Sequence, residues 1–160
     1  MEDFAAQVAD LDYPMAVVTA AAGGEPSGCL VGFLTQCSIH PPRLVVFISS
    51  ANHTHGVALR ATHLGVHWLS TRHTALAELF GSLTGDQADK FSRCRWEQAE
   101  GGAPVIADCP RWLVGRVLDR RAHGDHTGFV VEPVSASCGQ PWPRQLGYQD
   151  VKDLHPGHRP

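Results

Sequence analysis

Two consecutive prolines, Pro41 and Pro42, set between two apolar stretches, constrain this chain more than any other feature. Upstream, Gly28-Cys29-Leu30-Val31-Gly32-Phe33-Leu34-Thr35-Gln36-Cys37-Ser38-Ile39 is small and largely apolar; downstream, Leu44-Val45-Val46-Phe47-Ile48 is an unbroken apolar run. Proline has no amide hydrogen, fixes its own φ and pushes the residue before it into extended backbone, so no helix crosses the pair. The pattern reads as strand, hard stop, buried strand. It then opens into Ser49-Ser50-Ala51-Asn52-His53-Thr54, a cluster of short hydroxyl, amide and imidazole groups.

The rest of the chain arranges itself around this centre. Phe4, Val8 and Leu11 recur at helical spacing with acids between them, which predicts a short amphipathic opening helix ended by Tyr13-Pro14. Met15 to Ala20 reads as a strand, Gly23-Gly24-Glu25-Pro26 as a turn, and Ser27 to Ile39 as a second strand with a bulge at Gly32. After the Leu44 to Ser49 strand, a helix is predicted over His55 to His63, then a strand over Gly65 to Ser70. Backbone amides ahead of that helix are placed to meet an anion. A helix from Thr74 to Phe80, capped by Thr74, and a shorter one from Asp86 to Phe91 follow, and Cys94 to Ala103 reads as an irregular link anchored by Trp96. Trp112 to Asp119 and Thr127 to Val134 flank His123-Gly124-Asp125-His126, a hairpin signal. Six or seven strands joined by hairpins, against three short helices, predict a mainly β fold: an antiparallel, closed or nearly closed barrel. The 160 residues suit one domain, with residues 139–160, where prolines flank Trp142, as a rigid C-terminal loop or arm.

Composition removes several function classes. A formal net charge of -3 gives no general attraction to nucleic acid or to an anionic membrane surface. No apolar run approaches the roughly 18 residues of a membrane span, and no charged-then-apolar leader opens the chain, so a cytoplasmic protein is expected. The five cysteines are odd in number, scattered and never spaced C-x-x-C, which argues against a disulfide framework or a zinc knuckle. The ten histidines include close pairs such as His63 with His67, but that pair straddles a predicted helix-to-strand boundary, and no metal site is expected. Neither a Rossmann nor a P-loop glycine motif is present.

The order of Thr35-x-x-Ser38-x-x-Pro41-Pro42, a buried strand, then Ser49-x-x-Asn52-x-Thr54 resembles the flavin reductase family with the FMN-binding split-barrel fold. Phe80, Asp89-Lys90-Phe91, Trp96, Gly102-x-Pro104 and Gly124-Asp125-His126-Thr127, with Glu132 and Val134, continue the resemblance in the usual order. Leu30, Gly32, Phe33 and His40 stand where the family usually has Thr, Asn, Ser and Asp, and the C-terminus departs from the family pattern.

The resemblance implies a flavin-dependent oxidoreductase that binds FMN or FAD and takes hydride from NADH or NADPH, the reduced flavin then passing to a monooxygenase. On the same grounds Ser49, Ser50, Asn52, His53 and Thr54 are expected to hold the flavin phosphate. Leu30, Val31, Gly32, Phe33 and Thr35 would run along the ring with main-chain groups doing the bonding, although Phe33 reads equally well as core. Phe80 is expected among the cofactor-binding residues, Lys90 and Phe91 would close over the site, although a solvated helix end accounts for these two equally well, and Tyr148 would stand near the ring. His126 is the expected catalytic side chain, placed near flavin and nicotinamide, because an imidazole changes charge near neutral pH. The resemblance also implies a homodimer with flavin near the subunit boundary. A flavin-binding or haem-binding carrier on the same barrel is the alternative.

Overall fold

The computed structural model describes residues 1–83, 89–139 and 143–155. Its centre is a seven-stranded antiparallel sheet formed by β1 (Ala16–Ala22), β2 (Glu25–Val31), β3 (Leu34–Ser38), β4 (Arg43–Ser49), β5 (His63–Trp68), β8 (Trp112–His123) and β9 (His126–Ser137). Two short strands, β6 (Trp96–Gln98) and β7 (Pro104–Ile106), pair separately. The helices are α1 (Glu2–Ala9), α2 (His53–Ala58) and α3 (Thr74–Ser82), with a 3₁₀ turn at Lys90–Arg93.

The strand order β2-β1-β5-β8-β9-β4-β3 forces closure. β2 and β3 are the two edges of the sheet, yet only Gly32 and Phe33 separate them in the chain, so the sheet has to curl until its edges meet. That is the split barrel expected from the sequence. Two devices help it bend. Gly23 and Gly24 sit at φ 61° and 80°, the left-handed pair that a two-residue hairpin between β1 and β2 requires. The β8–β9 ladder shifts register at Val114/Gly115 and at Val117/Asp119, and such bulges increase twist in long strands.

Alternation sorts the side chains into two cores. On β4, Leu44, Val46 and Ile48 point inward, joining Val18, Leu64, Val66, Phe129 and Val131 within the barrel, with Val57 and Ala58 of α2 as its plug. Val17, one residue from Val18, faces the other way into a second core with Met15, Leu69, Phe80, Phe91, Ile106 and Leu146, covered by α3.

Several local expectations change. The predicted second strand divides, because the chain leaves one sheet edge and joins the other at Gly32-Phe33; its bulge lies between Gln36 and Ser38 instead of at Gly32. α2 starts at His53, with Asn52 Oδ1 accepting the Thr54 N–H as its cap, and ends before His63, which opens β5. Thr74 is the first helical residue of α3, preceded by His73 at the cap position. Of the predicted Asp86 to Phe91 helix, residues 86–88 lie outside the described residues, while Asp89 Oδ1 accepts from the Phe91 and Ser92 N–H groups to start the 3₁₀ turn. The link after Cys94 contains β6, and Trp96 is a half-exposed neighbour of Phe91, with ring centroids 5.3 Å apart. α1 forms, but buries none of its residues, and Phe4 is 63% exposed.

The tail returns to its own body. Leu146 is buried; its carbonyl accepts from Met15 N–H and its N–H donates to Leu69 O, while Gln145 Nε2 donates to the same Leu69 carbonyl. Gln140, Pro141 and Trp142, on which the arm reading rested, lie outside the described residues.

Candidate functional site

At the break between the sheet edges the predicted ring-lining segment leaves the ladders. Gly32 takes part in neither the β1–β2 nor the β3–β4 ladder, and Phe33 is joined to β4 through one bond, Phe47 N–H to Phe33 O at 2.9 Å. The Phe33 side chain is 50% exposed, which settles the choice between core and surface for this residue. Its ring lies 5.6 Å from Tyr13 and 5.4 Å from His126, and Tyr13 lies 6.3 Å from Tyr148. Tyr148, Tyr13, Phe33 and His126 thus form one arc of rings, built from the tail, the chain before β1, the edge crossing and the β8–β9 hairpin.

The hairpin is fixed by Gly124, at φ 72°, and by its neighbours. His126 Nδ1 lies 2.7 Å from Asp125 Oδ1, so the carboxylate accepts the Nδ1 proton and Nε2 is the nitrogen left for chemistry. The same contact holds the Asp125 carboxyl below its ordinary range. Ser49 pairs with His126 in the β4–β9 ladder, and Ser50 N–H donates to Asp125 O at 2.8 Å. His55 of α2 reaches Thr127 Oγ1 at 2.9 Å. The Ser49–Thr54 segment and the His126 hairpin are therefore one hydrogen-bonded piece.

Within that segment the side chains divide their work. Ser49 Oγ accepts from Ala51 N–H, which leaves its own proton to donate, and Ser50 is exposed. Asn52 caps α2, and His53 Nε2 lies 3.1 Å from Glu25 Oε1. Thr54 is buried, its hydroxyl 2.9 Å from Ser27 Oγ, so it anchors the loop to β2.

The remaining predicted residues turn away from this arc. Val31 belongs to the barrel core, and Leu30 packs under α3 against Gly81. Thr35 is exposed on the edge strand β3. Phe80 and Phe91 are buried edge to face at 5.6 Å. Lys90 is only 4% exposed; its Nζ donates to Gly28 O and Phe80 O, both at 3.1 Å, and burial pushes its pKa down. Lys90 and Phe91 line a cleft of about 290 Å³ with Glu25, Ser27, Gly28, Asp89 and His53 of the phosphate segment; no residue of the ring arc lines it.

Among the described residues no three His, Cys, Asp or Glu side chains gather as metal ligands. His67, one of the tempting pair, is wholly buried: Ile106 N–H donates to its Nε2 at 3.0 Å, so its Nδ1 carries the proton and donates to Val17 O at 3.1 Å. Tyr13, Phe47 and Asp125 are members of the site that sequence reading did not single out. The alternation along β4 carried the signal for Phe47, since it puts Phe47 and Ser49 on the face opposite Val46 and Ile48.

The family model for the flavin reductase like domain matches residues 8–153. The chain belongs to that family. A reductase component of 4-nitrophenol 4-monooxygenase/4-nitrocatechol 2-monooxygenase from Rhodococcus opacus is 31% identical over 123 residues, covering 77% of this chain and 64% of that protein. An FMN reductase (NADH) from Bradyrhizobium diazoefficiens is 27% identical over 125 residues, 78% of this chain and 69% of its own length. This chain thus spans about two thirds of the length of each of these two relatives. Among solved structures, an NADH:FAD oxidoreductase of Streptomyces globisporus superposes with a TM-score of 0.77 at 25% identity, over 90% of this chain and 84% of that one. A flavin reductase domain protein from Arthrobacter shares the fold with a TM-score of 0.78 at 23% identity, over 88% and 86%.

Proposed function

We propose that this flavin reductase family member binds FMN or FAD, passes hydride to it from NADH or NADPH, and delivers reduced flavin to a monooxygenase. The observation that carries the reading is the union of two segments: Ser50 N–H bonded to Asp125 O and Ser49 laddered to His126, with the Phe33 ring against His126. Phosphate donors, a ring-sized aromatic wall and an imidazole are thereby held in one rigid frame.

The residues fit a flavin. Ser49 and Ser50 hydroxyls would hold the phosphate, with Asn52, His53 and Thr54 shaping the loop. Main-chain groups at Gly32 and Phe33, outside the ladders, would meet the polar edge of the ring, and Phe33, Tyr13 and Tyr148 would wall it. Bound flavin supplies the hydride acceptor. His126, its Nδ1 proton given to Asp125, would present Nε2 to the nicotinamide and fix its orientation, which is the larger part of what such a transfer asks of a protein. Leu30, Val31, Phe80, Lys90 and Phe91 support this frame from the interior.

The same proposal includes a single functional domain, a cytoplasmic setting and a homodimer. The exposed edge of β3, with Thr35, Gln36 and Cys37 uncovered, supports the last, since unpaired strand edges are ordinarily covered. The monooxygenase partner is supported by the naming of the Rhodococcus relative as a reductase component. The absorption spectrum of the purified protein with FMN added, before and after anaerobic NADH or NADPH, tests the reading. Bleaching of the flavin bands faster than with free flavin is expected; no acceleration with either nucleotide removes the reductase.

A further inference from the structure

Strand register builds a row that continues away from the ring arc. Leu34 opposes Val46 and Phe47 N–H bonds to Phe33 O, so Phe33 stands opposite Phe47; Phe47 opposes Gly128, and Gly128 opposes Arg121. Directly opposed residues project from the same face of a sheet. Here that is the outward face, because Val46 and Ile48 take the inward one. The adjacent row is Ser49, His126 and His123.

Small residues leave gaps over which the rings meet. The His126 ring reaches Phe33 on the far side of Ser49 at 5.4 Å, and Phe47 reaches His123 across Gly128 at 5.6 Å. A Cβ on Gly128 would lie 2.9 Å from the Phe47 ring. Arg121 ends the row. It is exposed and makes no hydrogen bond or ion pair among the described residues, whereas its neighbour Arg120 donates to Ala61 O on the other face. Of the acids around it, Asp125 is engaged by His126, Glu132 is engaged by Arg43 and Arg116, and Asp119 lies two residues back without pairing to Arg121.

We propose that this row and its neighbour bind the nucleotide half of the nicotinamide cosubstrate, Arg121 holding a dinucleotide phosphate and the Phe47 and His123 rings, set edge to face at 70°, giving a corner in which one ring face is open to stacking beside it. The inference rests on the reductase reading, which puts nicotinamide at His126. From there the rest of the dinucleotide has to leave in some direction, and the direction through Ser50 is taken by the phosphate of the flavin, of like charge. The other direction offers His123 across the hairpin at about 5 Å and Arg121 about 7 Å further along the strand. A guanidinium grips phosphate through two parallel N–H bonds, and aromatic faces accept nucleotide stacking. The phosphate is the pyrophosphate or, with NADPH, the ribose 2′-phosphate.

Steady-state flavin reduction by wild type, Arg121→Gln and Arg121→Lys, with NADH and with NADPH, tests it. Arg121→Gln is expected to raise KM by about ten-fold with kcat within about two-fold, to flatten the rise of KM with salt, and to be partly rescued by lysine. An equal loss with both cosubstrates assigns the pyrophosphate, and a loss with NADPH alone assigns the 2′-phosphate. Unchanged KM values overturn the proposal. So does an Arg121→Glu variant that alters the sedimenting mass but not KM, because a second copy of the chain would then cover this face. Calorimetry with ADP-ribose and 2′-phospho-ADP-ribose, which carry no nicotinamide, separates this inference from the reductase reading. A wild type that reduces no flavin yet binds either fragment about ten-fold more tightly than Arg121→Gln loses the reductase and keeps the platform; fragments that bind both proteins equally, or neither, overturn the platform.

Discussion

The face around Phe33 and His126 and the interior beneath α3 around Phe80 and His67 use the same residue types and leave them in opposite states. Phe33 is 50% exposed where Phe80 is 1% exposed. His126 has one nitrogen held by Asp125, whereas His67 has both nitrogens bound to backbone. Even the cation differs: Arg121 stands on the surface, unpaired among the described residues, and Lys90 is buried against two carbonyls. An aromatic or imidazole side chain therefore reports on function here only when its polar atoms and its ring are left unspent by packing. Packing occupies the rings and nitrogens of the interior, and the face leaves Phe33 and one nitrogen of His126 open.

The sharpest way to break this comparison is to truncate both phenylalanines. Phe80→Ala should cost about 3–5 kcal/mol, the usual range for a buried Phe, and lower Tm by roughly 10 °C for a chain of this size. Phe33→Ala should cost less than about 1 kcal/mol in stability and instead weaken flavin binding several-fold. Equal thermal shifts in the two variants would erase the distinction between wall and core.

Acid should find the interior histidine next. Burial pushes the His67 pKa down to about 4, against about 6.5 in an unfolded chain. Between those values the unfolded state binds more protons, so stability rises with pH across the window and is lost as pH falls from 6.5 towards 4. The loss amounts to roughly 3 kcal/mol at its full extent, because each pH unit crossed between the two values contributes about 1.4 kcal/mol. Urea unfolding at pH 7, 5 and 4 should show it, and His67→Gln should flatten the slope over the same range; an equally steep slope in the variant would assign the acid sensitivity elsewhere.

The phosphate segment divides along the same line. Thr54→Ala loses a buried bond to Ser27 and should lower stability by about 1 kcal/mol. Ser49→Ala removes a surface donor and should weaken FMN binding with stability nearly unchanged. Together the two should cost about 1–3 kcal/mol of FMN affinity by titration, because bonds to a charged phosphate are the stronger kind. Unchanged affinity in the double variant would place the phosphate elsewhere.

What the sequence made legible follows from what is local. The Pro41-Pro42 stop, the alternation of β4 and the Gly-Asp turn each declare themselves within a few residues, and they were enough for an antiparallel barrel. The division of the second strand was not legible, because the reason for it is that β2 and β3 lie on opposite edges of one sheet, a fact about closure. Motif order likewise singled out Phe80, Lys90 and Phe91, but only packing tells that Lys90 ends on the carbonyls of Gly28 and Phe80. Tyr148 reaches Tyr13, which in turn meets Phe33, only because the tail returns to the chain before β1, a contact spanning most of the sequence.

A small stability effect should accompany His126→Ala, beside a larger one on rate. His126 lies at the rim of the sheet with its side chain 22% exposed, and its hydrogen bond runs to an exposed carboxylate, so losing the ring should cost about 1 kcal/mol of stability or less. Flavin binding should stay nearly intact, since the phosphate and the ring edge are held by Ser49, Ser50 and the Gly32-Phe33 main chain in the proposed site. Hydride transfer should slow on the order of ten-fold, about 1.4 kcal/mol of barrier, because the nicotinamide loses the group that orients it. Asp125→Asn should give a smaller loss in the same direction, since the amide no longer fixes the proton on Nδ1 and Nε2 is no longer reserved for the cosubstrate. Stopped-flow reduction of bound FMN resolves the series: rates falling in the order wild type, Asp125→Asn, His126→Ala put the hairpin in the transfer step, and a His126→Ala protein as fast as wild type takes it out.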